Sequence, residues 1–137
     1  GITNDEMVQN LDFAQTFLEA AMIPAPSDMQ GESLIPLMKG ENNKWTRESV
    51  YYHYYEYPSV HMVKRHYGIV NKEFKLAHFY YDVDEWELYD RKNDPNEMNN
   101  VYNDPEYKDI VEKLTQELEE LRIKYKDSKE LDKSFIY

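Results

Sequence analysis

The sequence predicts an α+β fold: a four-stranded antiparallel sheet with a long C-terminal helix packed on one face, preceded by a helical strip belonging to a larger body. Three observations carry this expectation. Between Val50 and Tyr89 the chain runs in short β-branched and aromatic stretches separated by polar turns, the pattern of strands. From Asp104 to Lys126 apolar residues recur at spacings of three and four, the period of a helix with one buried face. Residues 1–39 supply one short helix and an apolar patch but no second element for either to pack on.

The first helix is expected over about Asn10 to Ala21, where Leu11, Ala14, Phe17, Leu18 and Ala21 form an apolar stripe. Asn10 or Asp12 is placed to cap it, each carrying a short side-chain acceptor for a free backbone N–H. Pro24 and Pro26 stop it, because proline cannot continue the hydrogen-bond ladder. A turn-rich loop to Glu32 leads into a small apolar patch, Ser33 to Met38. Lys39 to Thr46, with Gly40 and two adjacent asparagines, reads as a polar linker, so the boundary between the lobes is drawn at 44/45.

Val50 to Tyr57 reads as the first strand, ended by Pro58, with a loop over 58–64. His66 to Asn71, Phe74 to Tyr81 and Trp86 to Tyr89 follow. Asn71-Lys72-Glu73 is short enough for a hairpin, so the strands form an antiparallel meander. Asp94-Pro95 with Asn96, Asn99 and Asn100 makes a longer turn. Asp104-Pro105-Glu106 opens the last helix with a capping acid and a proline whose missing N–H costs nothing there. Its buried face is Ile110, Val111, Leu114, Leu118, Leu121 and Tyr125, and Glu120 with Lys124 is a favourable pair on the charged face. The tail after Asp127 is polar and expected to fray, although Phe135, Ile136 and Tyr137 could tuck back.

Composition removes several function classes. The 137 residues carry 27 acidic and 16 basic side chains, a net charge of −11, which repels a nucleic-acid backbone. No apolar run approaches the roughly 20 residues a membrane-spanning helix needs. With no cysteine there is no disulfide, thiolate metal site or thiol nucleophile. The opening Gly-Ile-Thr-Asn-Asp-Glu lacks the basic-then-apolar pattern of a secretory leader. A mean hydropathy of −0.88 is offset by 41% hydrophobic and 15% aromatic residues, enough for an ordered core.

The chemistry concentrates in one stretch. Of 13 tyrosines, 11 lie between Tyr51 and Tyr107. In Tyr51-Tyr52-His53-Tyr54-Tyr55-Glu56-Tyr57-Pro58, strand alternation puts Tyr51, His53, Tyr55 and Tyr57 on one face and Tyr52, Tyr54 and Glu56 on the other. Tyrosines on both faces imply that neither is simply solvent-facing: a structural strand bridging two lobes, or a platform for sugar rings, which an apolar ring with a hydroxyl suits. His61 in the following loop, and His66 beside Lys64 and Arg65, offer N–H donors for an anionic or polyol ligand. The histidine spacings match no zinc motif. Asp82, Asp84, Glu85, Glu87 and Asp90 lack the glycine and the spacing of a calcium loop, and read as a solvated acidic turn. No G-x-S-x-G elbow is present and no complete catalytic set can be assembled.

Taken together, Val8 to Leu18 and Gly31 to Gly40 resemble the end of a sulfatase catalytic domain. Tyr52-His53-Tyr54-Tyr55-Glu56-Tyr57-Pro58, His61, Arg65-His66-Tyr67-Gly68-Ile69, Phe74 to Tyr80, Trp86 to Asp90 and Asp94 to Val101 resemble the sulfatase C-terminal subdomain, in family order. The tyrosine-rich strand is most similar to the glycan-acting branch, N-acetylglucosamine-6-sulfatases included. The resemblance implies a sulfuric ester hydrolase of the alkaline-phosphatase-like superfamily. Such enzymes use a formylglycine, made from Cys or Ser in a C/S-x-P-x-R motif, and a calcium held by Asp and Asn residues. This chain has no such motif, so both are expected in a missing N-terminal α/β catalytic domain, and residues 1–137 alone are expected to be inactive and without cofactor. Residues 1–44 would then be the tail of that domain and 45–137 the C-terminal subdomain. The expected partners are the catalytic domain and a sulfated saccharide, with no nucleic acid and no membrane span. The resemblance also implies export. His61, with His53 and His66 behind it, is expected to face the sugar hydroxyls or the sulfate. Gln15, where many relatives have proline, and Met22, where a glycine often ends the helix, depart from the family pattern. A free-standing carbohydrate- or protein-binding module is the alternative.

Overall fold

The computed structural model describes residues 1 and 3–134 and divides into two compact units, Gly1–Val50 and Tyr51–Tyr137. Phe135, Ile136 and Tyr137 lie outside the described residues. Among those described, no helix is long and apolar enough to cross a membrane.

The second unit is an α+β layer. Strands β1 (Ser49–Tyr54), β2 (His66–Asn71), β3 (Phe74–Phe79) and β4 (Glu85–Asp90) lie side by side in chain order as an antiparallel sheet. Helix α3 (Lys108–Lys124) packs on one face, and a short helix α4 (Lys129–Ser134) follows. The turn between β2 and β3 is drawn tight by Asn71, whose Oδ1 accepts from the N–H groups of Glu73 (2.9 Å) and Phe74 (2.7 Å). That turn sets the register Tyr67↔His78 and Ile69↔Leu76, and β3 in turn sets Leu76↔Leu88 and His78↔Trp86. Because side chains alternate, Tyr67, Ile69, Leu76, Leu88 and Tyr80 share the face under α3, where they meet Leu114 and Leu118. Ile69, Leu76, Leu88 and Leu118 are fully buried, each contributing about 2 kcal/mol.

On the opposite face Tyr52 lies across Gly68. A β-carbon there would come within 2.4 Å of the Leu76 carbonyl oxygen and 2.6 Å of the Tyr52 hydroxyl, so this position has room only for hydrogen. The free edge of β4 is covered by the Asp94–Val101 turn. Asn100 accepts from Leu88 N–H (3.0 Å) and donates to the Trp86 carbonyl (3.1 Å), in place of a fifth strand. Asp104 caps the entry to α3 by accepting from Glu106 N–H at 2.9 Å.

Two expectations for this unit are corrected. The tail does not fray at Asp127: α4 forms, and its Asp132 is buried against Arg122. Nor are the acids between Asp82 and Asp90 uniformly solvated. Asp82 pairs with Arg65 at 3.0 Å. Asp90 accepts from Asn93 and from the Tyr107 hydroxyl, contacts that hold its carboxyl below the usual range. Asp84 alone among these three is open to water.

The first unit contains α1 (Asp12–Ala20) and α2 (Ile35–Met38). Met22 takes φ 58° just after α1. Its N–H reaches the Glu19 carbonyl and Ile23 N–H reaches Leu18, the paired closure normally built on glycine. The buried residues of α1 are polar, Asp12 and Thr16, while Phe13 and Phe17 are 53% and 69% exposed. Neither Asn10 nor Asp12 caps the helix with its side chain. Asp12 instead takes a bidentate contact from Arg47 (2.5 and 2.8 Å) and the N–H groups of Gln9 and Glu32. Burial works against its charge, but these donors outweigh burial and hold its carboxyl below the ordinary range.

Leu118→Ala, which opens a cavity between α3 and the sheet, is expected to cost about 3 kcal/mol in urea unfolding. Asp12→Ala, which strands the buried Arg47 cation, is expected to cost a comparable amount, about 3 kcal/mol, in the same measurement.

Candidate functional site

The tyrosine-rich strand delivers side chains to two different environments. On the α3 face, His53 is almost fully buried, with a side chain only 3% exposed. Its Nδ1 lies 2.9 Å from Asp127 Oδ2, and its Nε2 lies 2.6 Å from the Tyr80 hydroxyl. Asp127 can only accept, so Nδ1 carries the proton and Nε2 accepts from Tyr80. Tyr51 also donates to Asp127, and Tyr55 stacks on the imidazole at 3.9 Å. Burial dominates and lowers the His53 pKa, outweighing the pull of Asp127, so the neutral ring is favoured. Burial likewise raises the Tyr51 and Tyr80 hydroxyls, and pushes Tyr67 up to about 12.

Asp127 reaches this cluster because α3 ends in a reversal. Lys126 takes φ 58°, its N–H bonds the Ile123 carbonyl, and Asp127 N–H bonds the Arg122 carbonyl. The turn brings Asp127 back beside Arg122, whose Nε is 3.4 Å from it, and α4 presents Asp132 at 2.9 Å from Nη2. The guanidinium lies over the Tyr67 ring at 3.8 Å. Burial opposes the Arg122 cation, but Tyr67, Asp132 and Asp127 together hold its pKa above the ordinary value.

His53, Asp127 and Asp132 offer three metal-ligating atoms within 4.8 Å of one another. They do not fit calcium. Arg122 already neutralises both carboxylates, Tyr51 and His53 occupy Asp127, and a hard dication requires six or more oxygens. Formylglycine does not fit the chain either, since there is no cysteine and no serine stands two residues before a proline. This cluster is therefore an anchor. It holds the strand that leads into the loop 55–65.

That loop is the exposed part of the site. Arg65 is buried at the start of β2. It donates through Nε to the Tyr55 carbonyl (3.1 Å), through Nη2 to the Tyr57 carbonyl and through Nη1 to Asp82 (3.0 Å). Lys64 Nζ reaches the Tyr57 hydroxyl at 2.6 Å. His61 stands exposed in the middle, between Val60 and Met62, which are 91% and 62% exposed. His66 sits on the face away from α3. There it donates through Nδ1 to the Lys64 carbonyl at 2.8 Å and stacks between Tyr54 and Phe79. The three histidines singled out from sequence thus occupy three settings: an exposed loop, the buried cluster and the opposite face. Asp127, Asp132 and Arg122 were not foreseen. The segment after α3 gave little signal in sequence, since its two aspartates stand among three lysines.

Residues 1–124 match the model of the N-sulphoglucosamine sulphohydrolase C-terminal family. The chain belongs to this family. The N-acetylglucosamine-6-O-sulfatase of Bacteroides thetaiotaomicron is 51% identical over 131 residues, covering 93% of this chain and 23% of that protein. The delta 4,5-hexuronate-2-O-sulfatase of the same organism is 33% identical, over 74% of this chain and 21% of that protein. A structure of a protein in complex with its substrate D-glucosamine-2-N,6-O-disulfate superposes with a TM-score of 0.82 at 52% identity. It covers 86% of this chain and 24% of that one. This member of the sulphohydrolase C-terminal family thus spans about a quarter of the length of these three relatives. Asp127 and Asp132 lie past the end of the family match.

Because His53 is held neutral, protonation favours the unfolded chain, whose histidine titrates near about 6.5. Below that value the unfolded state binds the extra proton. The unfolding free energy is therefore expected to fall as pH drops from 7 towards 5, and His53→Gln is expected to flatten that slope in urea titrations at each pH.

Proposed function

We propose that this chain works as the C-terminal part of a sulfatase that hydrolyses sulfate esters on a glycan. In this reading the nucleophile and the calcium come from a catalytic domain elsewhere in the whole protein. Residues 45–137 act as the C-terminal subdomain and 1–44 as the tail of the catalytic domain. The substrate class is a sulfated amino sugar, the kind of ligand held by the 52%-identical relative.

The observation that carries the reading is the family match together with an exposed histidine in a pinned loop. His61 is the side chain placed to donate to a sugar hydroxyl or sulfate oxygen. Charged and polar groups fixed on a rigid scaffold lower KM because little ordering is left to do on binding. His53, both of whose nitrogens have partners, and His66, whose Nδ1 is held by the Lys64 carbonyl, shape the strands on either side of it. The exposed Phe13 and Phe17 of α1 support the tail assignment, since a strip of a larger body leaves an apolar stripe uncovered when described alone.

A binding module is the second reading. It is favoured by a groove of about 380 Å³ in which the rings of Tyr67, His78, Tyr80 and Tyr81 share one opening with two lysines, Lys129 and Lys133, and two acids, Asp84 and Asp132. Titrating the 137-residue chain with sulfated and unsulfated saccharides separates the two, because binding by the chain alone favours the module.

In the full-length polypeptide, His61→Ala is expected to lower kcat/KM on a sulfated glucosamine by about tenfold, mainly through KM. An unchanged kcat/KM would sink the assignment of His61.

A further inference from the structure

We infer that Arg65 is the positioning residue that holds the His61 loop in its working shape, an inference that rests on the reading of that loop as a pocket rim. Side chains also hold the ends of the loop from Tyr55 to Arg65, with Lys64 Nζ on the Tyr57 hydroxyl at 2.6 Å and Tyr55 stacked on His53. Its own backbone contributes Tyr57 N–H to the Tyr55 carbonyl (3.0 Å) and Met62 N–H to the Ser59 carbonyl (3.1 Å). Val60 and Met62 point into solvent, so apolar packing does not hold the tip. The Arg65 guanidinium closes the loop at its backbone, where Lys64 reaches only the Tyr57 side chain. Arg65 is itself fixed by the sheet, since its carbonyl accepts from Tyr80 N–H at 3.2 Å. From that fixed base it grips two carbonyls at the far end of the loop, Tyr55 and Tyr57. Its charge is balanced by Asp82, in the connection between β3 and β4. The rings of Tyr57 and Tyr81 lie 5.8 and 5.7 Å from it.

The residue type matters as much as the charge. Three segments meet at one planar group, and only a fork of several N–H donors can serve two carbonyls and a carboxylate together. An ammonium is a single point that could not span them. Releasing the two carbonyls frees residues 56–64 to sample many shapes, with His61 at their centre. The substrate would then have to order the loop at the moment of binding, a cost that shows in KM. Arg65 touches no substrate in this scheme; it acts through the backbone that carries His61.

The test is Arg65→Lys in the full-length polypeptide, assayed on a sulfated glucosamine saccharide and on a small aryl sulfate, with hydrogen exchange of the loop amides. The expected result is faster exchange over 57–63 with β2 and β3 unchanged, and a rise of about tenfold in KM for the saccharide. Turnover of the aryl sulfate, which has no sugar to meet the rim, stays within about twofold. Equal losses on both substrates mean a general structural role and overturn the inference, as does unchanged exchange in the loop. If Arg65→Lys fails to fold, Asp82→Ala, which leaves the guanidinium without its carboxylate partner and so loosens its hold on the two carbonyls, is read on the same two substrates: a KM rise confined to the saccharide with faster loop exchange supports the clamp, and equal losses or unchanged exchange overturn it. His61→Ala separates the layers. If it raises KM while a loosened loop does not, the positioning role is wrong. If it is silent and the loop still loosens, the rim reading fails and the clamp stands.

Discussion

Arg122 cannot leave water alone. A buried guanidinium must find its countercharges inside the protein, and here they come from the chain that follows α3: Asp127 from the reversal at its end, Asp132 from α4. Those two acids do more than neutralise it. Asp127 accepts from Tyr51 and His53, and His53 accepts from Tyr80, so one charge network ties helix, tail, first strand and third strand into a single body. The apolar core beneath it, from Ile69 to Leu118, supplies the larger share of the burial. The network decides which edge of that core the tyrosine-rich strand occupies, and therefore where the loop after it begins.

The loop repeats the same device at smaller scale. Arg65 is a second buried guanidinium, with a single carboxylate partner and with backbone carbonyls in place of a second acid. In the first unit Arg47 and Asp12 repeat it once more. The pairs span different lengths of chain: Arg47 and Asp12 lie 35 residues apart, Arg65 and Asp82 lie 17 apart, and Arg122 reaches Asp132 only 10 residues on, across the reversal. A chain this aromatic and acidic has fewer aliphatic side chains to spend on such joints, and buried arginine is what fixes them.

Period and turn chemistry made the sheet legible from sequence. The run from His66 to Asn71 matches β2 end to end, because a two-sided aromatic pattern is bounded by Arg65 and by a turn that Asn71 itself closes. The existence of α1 was equally plain, yet its buried side was not. The stripe of Leu11, Ala14 and Phe17 looks like a core face, whereas the face buried here is Asp12 and Thr16, selected by an arginine 35 residues away. Periodicity counts apolar residues and is blind to a buried acid with a distant donor. For the same reason α4 was missed, since what holds it is Asp132 on Arg122. Of the candidate site, the tyrosines and histidines were visible as a cluster. Asp127 and Arg122 were not, because a helix reversal at Lys126 lacks the glycine that would have announced it.

The reversal at Lys126 has an evolutionary reading. Residues 1–124 answer to a family pattern, but the acids that make Arg122 and His53 tolerable in the interior lie just past it, on the short segment that runs into α4. Such a segment is a detachable key. A chain cut at the family boundary would keep every strand and the long helix, yet leave a cation and an imidazole sealed under tyrosines with no acid to answer them. Family boundaries drawn by shared pattern, and folding boundaries drawn by charge balance, need not coincide.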